Sequence, residues 1–200
     1  IQRIEINLQN NYNCYEKAIP ERISDVTIKN EESQKKEIAI ISGATPETMK
    51  EHDHIRKSNI VWIDETWLYN LIGPFVKKAN QEAGWNFSIE EIESCQWTKY
   101  SETQHYDWHR DSAELPYNLP KNRLHGLTRK ISLTLSLEDG DKYEGGNLQF
   151  KIDEKEITLN NSRKKGTIVI FPSFVKHRVS PVTKGTRYSL VAWNCRKPFI

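Results

Sequence analysis

The chain has 200 residues, and its 29 basic and 27 acidic side chains give a net charge of +2. This length suits one domain, or one domain with an N-terminal extension, and so balanced a charge gives no support for a nucleic-acid partner. No stretch of about eighteen apolar residues is present, so we expect no membrane span, and no signal-peptide pattern opens the sequence.

Residues 1–57 are predicted to form an N-terminal extension of short strands and one helix, packed on the rest of the chain. Residues 4–8 alternate between apolar and polar side chains, which is the period of a strand. Residues 26–28 and 38–41 are predicted as further short strands. A threonine and a proline at 45 and 46 favour a helix start, so a short helix is predicted over 45–56.

A longer helix is predicted between Asp64, as the N-cap, and Gly84, which ends it. Its apolar residues recur at spacings of one, three and four, which places them on one broad face. They are Trp67, Leu68, Leu71, Ile72, Phe75, Val76 and Ala79. Gly73 and Pro74 lie in the middle and should kink the helix or split it. None of these residues is suited to catalysis, so we expect the helix to cover one face of a sheet.

From about residue 94 the sequence changes to short strands separated by turn residues. Eight strands are predicted, near 94–101, 104–110, 129–137, 147–152, 156–159, 167–171, 177–180 and 186–195. About eight short strands with no helix between them are typical of a jelly roll (double-stranded β-helix) or a small barrel. The fold class expected is therefore mainly β with flanking helices.

A His-x-Asp pair closes the second of these strands. Side chains two apart on a strand point to the same side, so His109 and Asp111 can bind one metal ion together. The best candidate for a third ligand is His177, which follows the apolar run at 166–174. Two imidazoles and one carboxylate, with other coordination positions open, form the facial triad of non-haem Fe(II) oxygenases.

The same stretch contains a rival pair. His105 and Asp107 form a second His-x-Asp, four residues upstream and, on a straight strand, on the same face. Spacing alone cannot choose between the two pairs. The long break that follows, residues 112–128, has a length typical of a lid or a substrate-binding segment.

Arg187 lies ten residues after His177. Its guanidinium is permanently charged and presents a fork of donors suited to a carboxylate. The strand that follows is nearly all apolar, and a buried arginine needs an anionic partner; a surface arginine after the Lys-Gly turn is the alternative. Ser189 lies two residues on, on the same face, and can add a hydroxyl donor.

The C-terminal part of the chain carries an ordered set of motifs. Tyr100, Thr103, Tyr106, His109 and Asp111 follow the pattern Tyr-x-x-Gly-x-x-Tyr-x-x-His-x-Asp, with threonine in place of glycine. Next come the strand at 129–137 and the Gly-Gly hairpin at 143–150, and then a closing motif from 171 to 193. In order and spacing these motifs resemble the Fe(II)- and 2-oxoglutarate-dependent dioxygenases, specifically the prolyl-4-hydroxylase-like branch that includes the bacterial PKHD-type hydroxylases. The resemblance covers residues 58–200, which are predicted to form the dioxygenase domain.

The resemblance selects His109 and Asp111 over the rival pair and implies a set of ligands. Fe(II) would be held by His109, Asp111 and His177, and 2-oxoglutarate by Arg187, Tyr100 and Ser189. Dioxygen is the second cosubstrate, and ascorbate is expected as the reductant. Three aromatic residues near the metal are candidates for the substrate pocket, with core packing as the alternative for each: Tyr106, Trp108 and Trp193.

Alternating small and apolar residues on the strand at 129–137 bear on the same pocket. Ser132, Thr134 and Ser136 share one face, and leucine and isoleucine share the other. If the apolar face packs under the helix that starts near Asp64, the small face leaves room for the cosubstrate. A half-exposed strand is the alternative.

Three functions follow from these observations. The leading hypothesis is a prolyl hydroxylase that acts on a protein or peptide. A second is an oxygenase acting on a nucleobase or small metabolite, with phosphate contacts from basic residues at 121, 123, 129 and 130. The third is a non-catalytic, cupin-like binding module. The sequence leaves the oligomeric state open.

Three cysteines bear on the compartment. Cys14, Cys95 and Cys195 are odd in number and widely spaced, which is typical of reduced thiols and not of a disulfide framework or a zinc knuckle. We therefore expect a reducing, cytoplasmic environment.

Overall fold

The computed structural model describes residues 11–39 and 55–198. The strand predicted at 4–8 lies outside the described residues, as do most of the helix predicted at 45–56 and the second half of the strand predicted at 38–41.

The described chain is mainly β. Its strands in chain order are β1 (Asn13–Tyr15), β2 (Glu37–Ile38), β3 (Arg56–Lys57), β4 (Asn59–Ile63), β5 (Glu91–Ile92), β6 (Cys95–Tyr100), β7 (His105–His109), β8 (Thr128–Ser136), β9 (Tyr143–Gly145), β10 (Leu148–Ile152), β11 (Lys155–Thr158), β12 (Ile168–Pro172), β13 (Lys176–Val179), β14 (Val182–Gly185) and β15 (Arg187–Arg196). The helices are α1 (Glu21–Glu32), α2 (Thr66–Glu82) and a short 3-10 helix at Asn160–Arg163. All eight strands predicted between residues 94 and 195 are confirmed.

The strands form two larger sheets and one small one. The largest has the order β1-β12-β8-β15-β6-β4-β2, and β5 pairs with the end of β15. The second has the order β11-β10-β13-β7-β3, and β14 pairs with β9. Every pairing among the described strands is antiparallel. The architecture is the predicted double-stranded β-helix, and side chains of both larger sheets line the cavity between them.

The outer face of the largest sheet packs under α2. The helix buries Leu68, Ile72, Val76 and Ala79 against the apolar face of β8 and its neighbours. The opposite face of β8 carries the small residues of the alternating pattern, and one of them, Thr134, lines the cavity. The predicted arrangement of this strand, apolar side to the helix and small side to the interior, is therefore confirmed.

Three details of α2 differ from the prediction. The helix is continuous from Thr66 to Glu82 with Pro74 inside it, so of the two predicted outcomes, a kink or a split, the split is wrong. Its N-cap is Glu65 and not Asp64, and Trp67 is 45% exposed and lies outside the buried face. Gly84 does follow the C-terminus with a φ of +68°, the left-handed conformation expected there. No helix among the described residues is long and apolar enough to cross a membrane.

The strand predicted at 26–28 is wrong, because these residues belong to α1. The side chains of Ile23, Ser24, Thr27 and Ile28 face the core at helical spacing, while Val26 is 49% exposed. The Thr27 hydroxyl also donates to the Ile23 carbonyl at 2.8 Å, a bond made within a helix. Tertiary packing therefore overrides the β propensity of this short run.

Residues on both sides of the predicted boundary at 57/58 share the largest sheet. Strand β1 pairs with β12, and β4, which the sequence did not predict, pairs with β6. The division of the chain into an extension and a dioxygenase domain stays a prediction. The three cysteines are free thiols.

Candidate functional site

Three potential metal ligands converge at the end of β7. His109 is the last residue of this strand and lies opposite His177 on β13, and Asp111 follows two residues later. One ligand atom from each of the three lies within 4.8 Å of the others. The Nε2 atom of His109 is 3.6 Å from one Asp111 carboxylate oxygen, and that of His177 is 3.5 Å from the other.

Backbone carbonyls fix the orientation of both imidazoles. The Nδ1 of His109 lies 2.7 Å from the Asp107 carbonyl, and the Nδ1 of His177 lies 2.9 Å from the Val175 carbonyl. A carbonyl only accepts, so each Nδ1 carries the proton and each Nε2 presents its lone pair towards Asp111. Burial, and then the neighbouring His109, lowers the pKa of His177 to about 4. This imidazole is therefore neutral at pH 7, the form that binds metal.

Asp111 is held by two serines, one on β8 and one in the turn after β12. Its carboxylate accepts a hydrogen bond from the Ser132 hydroxyl at 2.7 Å, and Ser132 lies 2.9 Å from the Ser173 hydroxyl. Its backbone N–H donates to the Ser173 carbonyl at 2.9 Å. Burial raises the pKa of this carboxyl, but the two imidazoles and Arg129 outweigh burial, and the pKa lies well below its usual range. The group is therefore an anion and a competent metal ligand.

A bulge in β7 separates the two His-x-Asp pairs. Between the paired residues His177–His109 and Val179–Tyr106, β13 advances by two residues and β7 by three. The extra residue breaks the alternation, so the Tyr106 ring stacks on His109 with a centroid distance of 3.4 Å, and Asp107 is exposed. The pair His105 and Asp107 thus does not meet His177.

Arg187, at the start of β15, is 4% exposed. Its guanidinium donates to the Ser189 hydroxyl at 3.0 Å and lies 5.4 Å from the ring centre of Tyr100, its partner across the strands. Among the described residues it has no carboxylate partner. A Cβ added at Gly146 would come within 3.1 Å of the Arg187 Cδ, so the glycine hairpin lets the backbone pack directly on this side chain. A buried cation without a protein anion is suited to an anionic ligand.

The ligand set and Arg187 share one cavity. It is lined by both larger sheets and includes Tyr106 and Trp193 from the predicted substrate pocket, together with Tyr100 and Ser189. Trp108 is not among the lining residues; its ring lies under the Arg178 guanidinium, 4.5 Å away.

Sequence reasoning missed two residues of the cavity wall. Arg56 on β3 stacks over Tyr106 at 4.5 Å and donates to Gln96 on β6 at 2.6 Å, so the two residues bridge the sheets. No local signal marks Arg56, because it belongs to a two-residue strand. Gln96 could have been found, since it shares the strand face of Tyr100 at even spacing.

The 112–128 loop begins next to the metal ligands and is held by hydrogen bonds that its own residues make to the rest of the protein and to each other. The Ser112 N–H donates to the Ser173 carbonyl at 3.0 Å, and the Tyr117 hydroxyl donates to Glu93 at 2.7 Å. The Tyr117 N–H also reaches the Leu127 carbonyl at 2.9 Å, which closes the loop on itself. A lid role for the loop stays a prediction.

The sequence from 95 to 195, which contains the three potential metal ligands and Arg187, matches the family model described as the 2OG-Fe(II) oxygenase superfamily. The match covers half of the chain. The chain belongs to this oxygenase superfamily. Iron(II), 2-oxoglutarate and dioxygen are the cofactor and cosubstrates that membership implies.

Related sequences point to one branch of the oxygenases. A PKHD-type hydroxylase of Xylella fastidiosa strain M12 is 38% identical over 98 residues, which are 48% of this chain and 41% of the relative. One from Crocosphaera subtropica is 33% identical over 102 residues, 51% of this chain and 42% of the relative. The chain thus matches about two fifths of the length of these curated relatives.

Solved structures share the oxygenase fold. A Pseudomonas putida prolyl-4-hydroxylase superposes with a TM-score of 0.67 and 20% identity, covering 94% of both chains. A Trichoplax adhaerens prolyl hydroxylase, solved with a peptide fragment of the hypoxia inducible factor oxygen degradation domain, gives a TM-score of 0.69 and 18% identity. It covers 92% of this chain and 83% of its own.

Proposed function

We propose that this protein is an Fe(II)- and 2-oxoglutarate-dependent hydroxylase. The observation that carries the proposal is the meeting, in one cavity, of two imidazoles, a buried carboxylate and a buried guanidinium without a carboxylate partner among the described residues. The donor set fits ferrous iron, because two histidines and one carboxylate bind this ion and leave coordination positions open.

Each residue has a role in this proposal. His109, Asp111 and His177 hold the iron, with their orientation set by the carbonyls and serines behind them. Arg187 binds the far carboxylate of 2-oxoglutarate through charge-assisted hydrogen bonds. The hydroxyls of Ser189 and Tyr100 complete that end of the cavity. When bound, iron, 2-oxoglutarate and dioxygen together would supply the oxidising chemistry that converts a C–H bond into C–OH.

We propose a prolyl residue of a protein or peptide as the substrate. The aromatic side chains of Tyr106 and Trp193 line the cavity and are suited to a compact apolar ring. The similarity to PKHD-type hydroxylases and the shared fold with prolyl hydroxylases, one of them bound to a peptide fragment, support this substrate class.

The basic residues near the loop do not favour a nucleobase substrate. Arg123 forms an ion pair with Glu91 at 2.9 Å, and Arg129 forms one with Glu93 at 2.7 Å. These guanidinium groups are thus neutralised by the protein and are poor phosphate contacts. The three potential metal ligands and the buried guanidinium beside them argue against the third hypothesis, a non-catalytic, cupin-like binding module.

Succinate release from 2-oxoglutarate tests the proposal. The assay contains Fe(II) and ascorbate, with and without prolyl peptides, and Asp111→Ala serves as the inactive control. We expect turnover that depends on iron and rises when a substrate peptide is present. An absence of turnover, together with no stabilisation of the iron-loaded protein by 2-oxoglutarate, would replace the hydroxylase by the binding module.

A further inference from the structure

Gln96 presents an unpaired amide donor to the cavity. The residue is 3% exposed and lines the cavity from β6. Its Oε1 atom accepts from the Arg56 guanidinium at 2.6 Å and from the Thr98 hydroxyl at 3.4 Å. A guanidinium only donates, so the oxygen must be the atom that faces Arg56, and the amide cannot be flipped. The NH₂ end then points away from Arg56, and it has no acceptor among the described residues.

The strand register places Gln96 away from the anion site. On β6, Tyr100 lies opposite Arg187, while Gln96 lies opposite Val191. Four residues of strand correspond to about 13 Å. Two residues beyond Val191, Trp193 lies opposite Ser132, the serine that holds Asp111. Gln96 therefore belongs to the metal end of the cavity, where the primary substrate would lie, and not to the 2-oxoglutarate end.

Other groups at this end are also donors. The indole N–H of Trp193 is buried and has no hydrogen-bond partner among the described residues. Arg56, which lines the cavity beside Gln96, can only donate. A buried donor left without an acceptor is unfavourable by about 1–3 kcal/mol. The part of the wall around Gln96 and Arg56 is therefore suited to a ligand that brings acceptor oxygens.

We propose that Gln96 is a specificity-determining residue, whose side-chain NH₂ donates to a backbone carbonyl next to the hydroxylated ring. The inference rests on the proposed function. A prolyl residue has a carbonyl and no backbone N–H, so a peptide segment around proline presents acceptors where other residues would bring a donor. The amide donor of Gln96, beside the guanidinium of Arg56, favours such a segment.

Two matched variants separate this role from a general effect of the substitution. Gln96→Glu keeps an acceptor for Arg56 and replaces the donating NH₂ by an oxygen that only accepts. Gln149→Glu makes the same change on β10, outside the cavity lining, where Gln149 accepts from Arg178 at 2.7 Å. Both variants retain a partner for their arginine, so both should fold.

The probe is N-acetyl-L-proline dimethylamide, which has two carbonyl acceptors and no N–H. It is titrated into protein loaded with Zn(II) and 2-oxoglutarate, and the side-chain amide signals are followed by ¹H–¹⁵N NMR. We expect the Gln96 signals, but not those of Gln149, to shift. Gln96→Glu should weaken binding of the probe about ten- to hundred-fold, while Gln149→Glu should leave probe binding unchanged.

The outcomes distinguish this inference from the proposed function. It is overturned if the Gln96 signals stay unmoved at saturating probe, if they move with 2-oxoglutarate alone, or if Gln96→Glu binds the probe like the wild type. If the Gln96→Glu variant hydroxylates prolyl peptides as the wild type does, the role proposed for Gln96 is wrong, while the proposed hydroxylase function stands. A probe bound through Gln96 but no hydroxylation of any prolyl peptide would support the donor role and refute the prolyl substrate.

Discussion

Replacing Arg187 by glutamine should strongly weaken the binding of 2-oxoglutarate without destabilising the ligand-free protein. The guanidinium is buried, makes one neutral hydrogen bond to Ser189, and has no carboxylate partner in the described chain. Truncating one member of a buried, hydrogen-bonded charge pair costs about 2–5 kcal/mol, which is about 30-fold to several thousand-fold in affinity. In the free protein this charge has no such partner, so its loss should leave the free energy of unfolding unchanged or raise it.

Urea denaturation with and without 2-oxoglutarate measures both effects in Mn(II)-loaded protein. At a ligand concentration of 100 times the wild-type dissociation constant, binding stabilises the wild type by about 2.7 kcal/mol. A 30-fold weaker affinity reduces this to less than about 1 kcal/mol.

Arg129→Gln is the matched control. Arg129 lies on β8, a strand that also contributes Thr134 to the cavity lining. Unlike Arg187, it forms a two-point ion pair with Glu93 at 2.7 Å. Breaking such a pair leaves a buried carboxylate unpaired, and we expect a loss of about 3 kcal/mol in the free protein. The reasoning is refuted if Arg187→Gln destabilises the free protein as much as Arg129→Gln does, or if it retains the wild-type stabilisation by 2-oxoglutarate.

Three further predictions concern the metal ligands, pH and one turn. Asp111→Ala should abolish Mn(II) binding by calorimetry, whereas Asp107→Ala, in the rival pair, should leave it unchanged; the reverse result would move the metal to the wrong pair. Because burial lowers the pKa of His177 from 6.5 to about 4, the metal-free protein should have its full free energy of unfolding above about pH 6.5 and lose up to about 3 kcal/mol as the pH falls towards 4. Denaturation in EDTA measures this loss, which His177→Gln should remove, and a flat profile in the wild type would contradict it. Thr103 has a φ of +68°, so Thr103→Gly should raise the free energy of unfolding by about 1 kcal/mol; a lower urea midpoint would show that the threonine is not strained.

The strand pattern made most of the fold predictable. Along β8 the alternation of small and apolar residues fixes which face meets α2 and which meets the cavity, and the structure follows it. Residues 26–28 show the limit of such patterns. Three residues are too few to separate the period of a strand from that of a helix. The buried face of α1 is visible only when Ile23 and Ser24 are read together with Thr27.

The sequence predicted the residues of the candidate site that are far apart in the chain, such as His177 and Arg187, but not the local geometry around His109. Spacing could not separate His109 and Asp111 from the rival pair, because the bulge that turns Asp107 outwards depends on pairing with β13. The wall formed by Arg56 and Gln96 was missed for a similar reason. The two residues are 40 positions apart and meet only because β3 and β6 belong to different sheets that face one cavity.

A crystal structure of the protein grown anaerobically with Fe(II) and 2-oxoglutarate tests the central claim most directly. We expect the iron to be bound by the Nε2 atoms of His109 and His177 and by the Asp111 carboxylate, with the far carboxylate of 2-oxoglutarate on the Arg187 guanidinium. Iron at His105 and Asp107, or 2-oxoglutarate bound away from Arg187, would contradict the account.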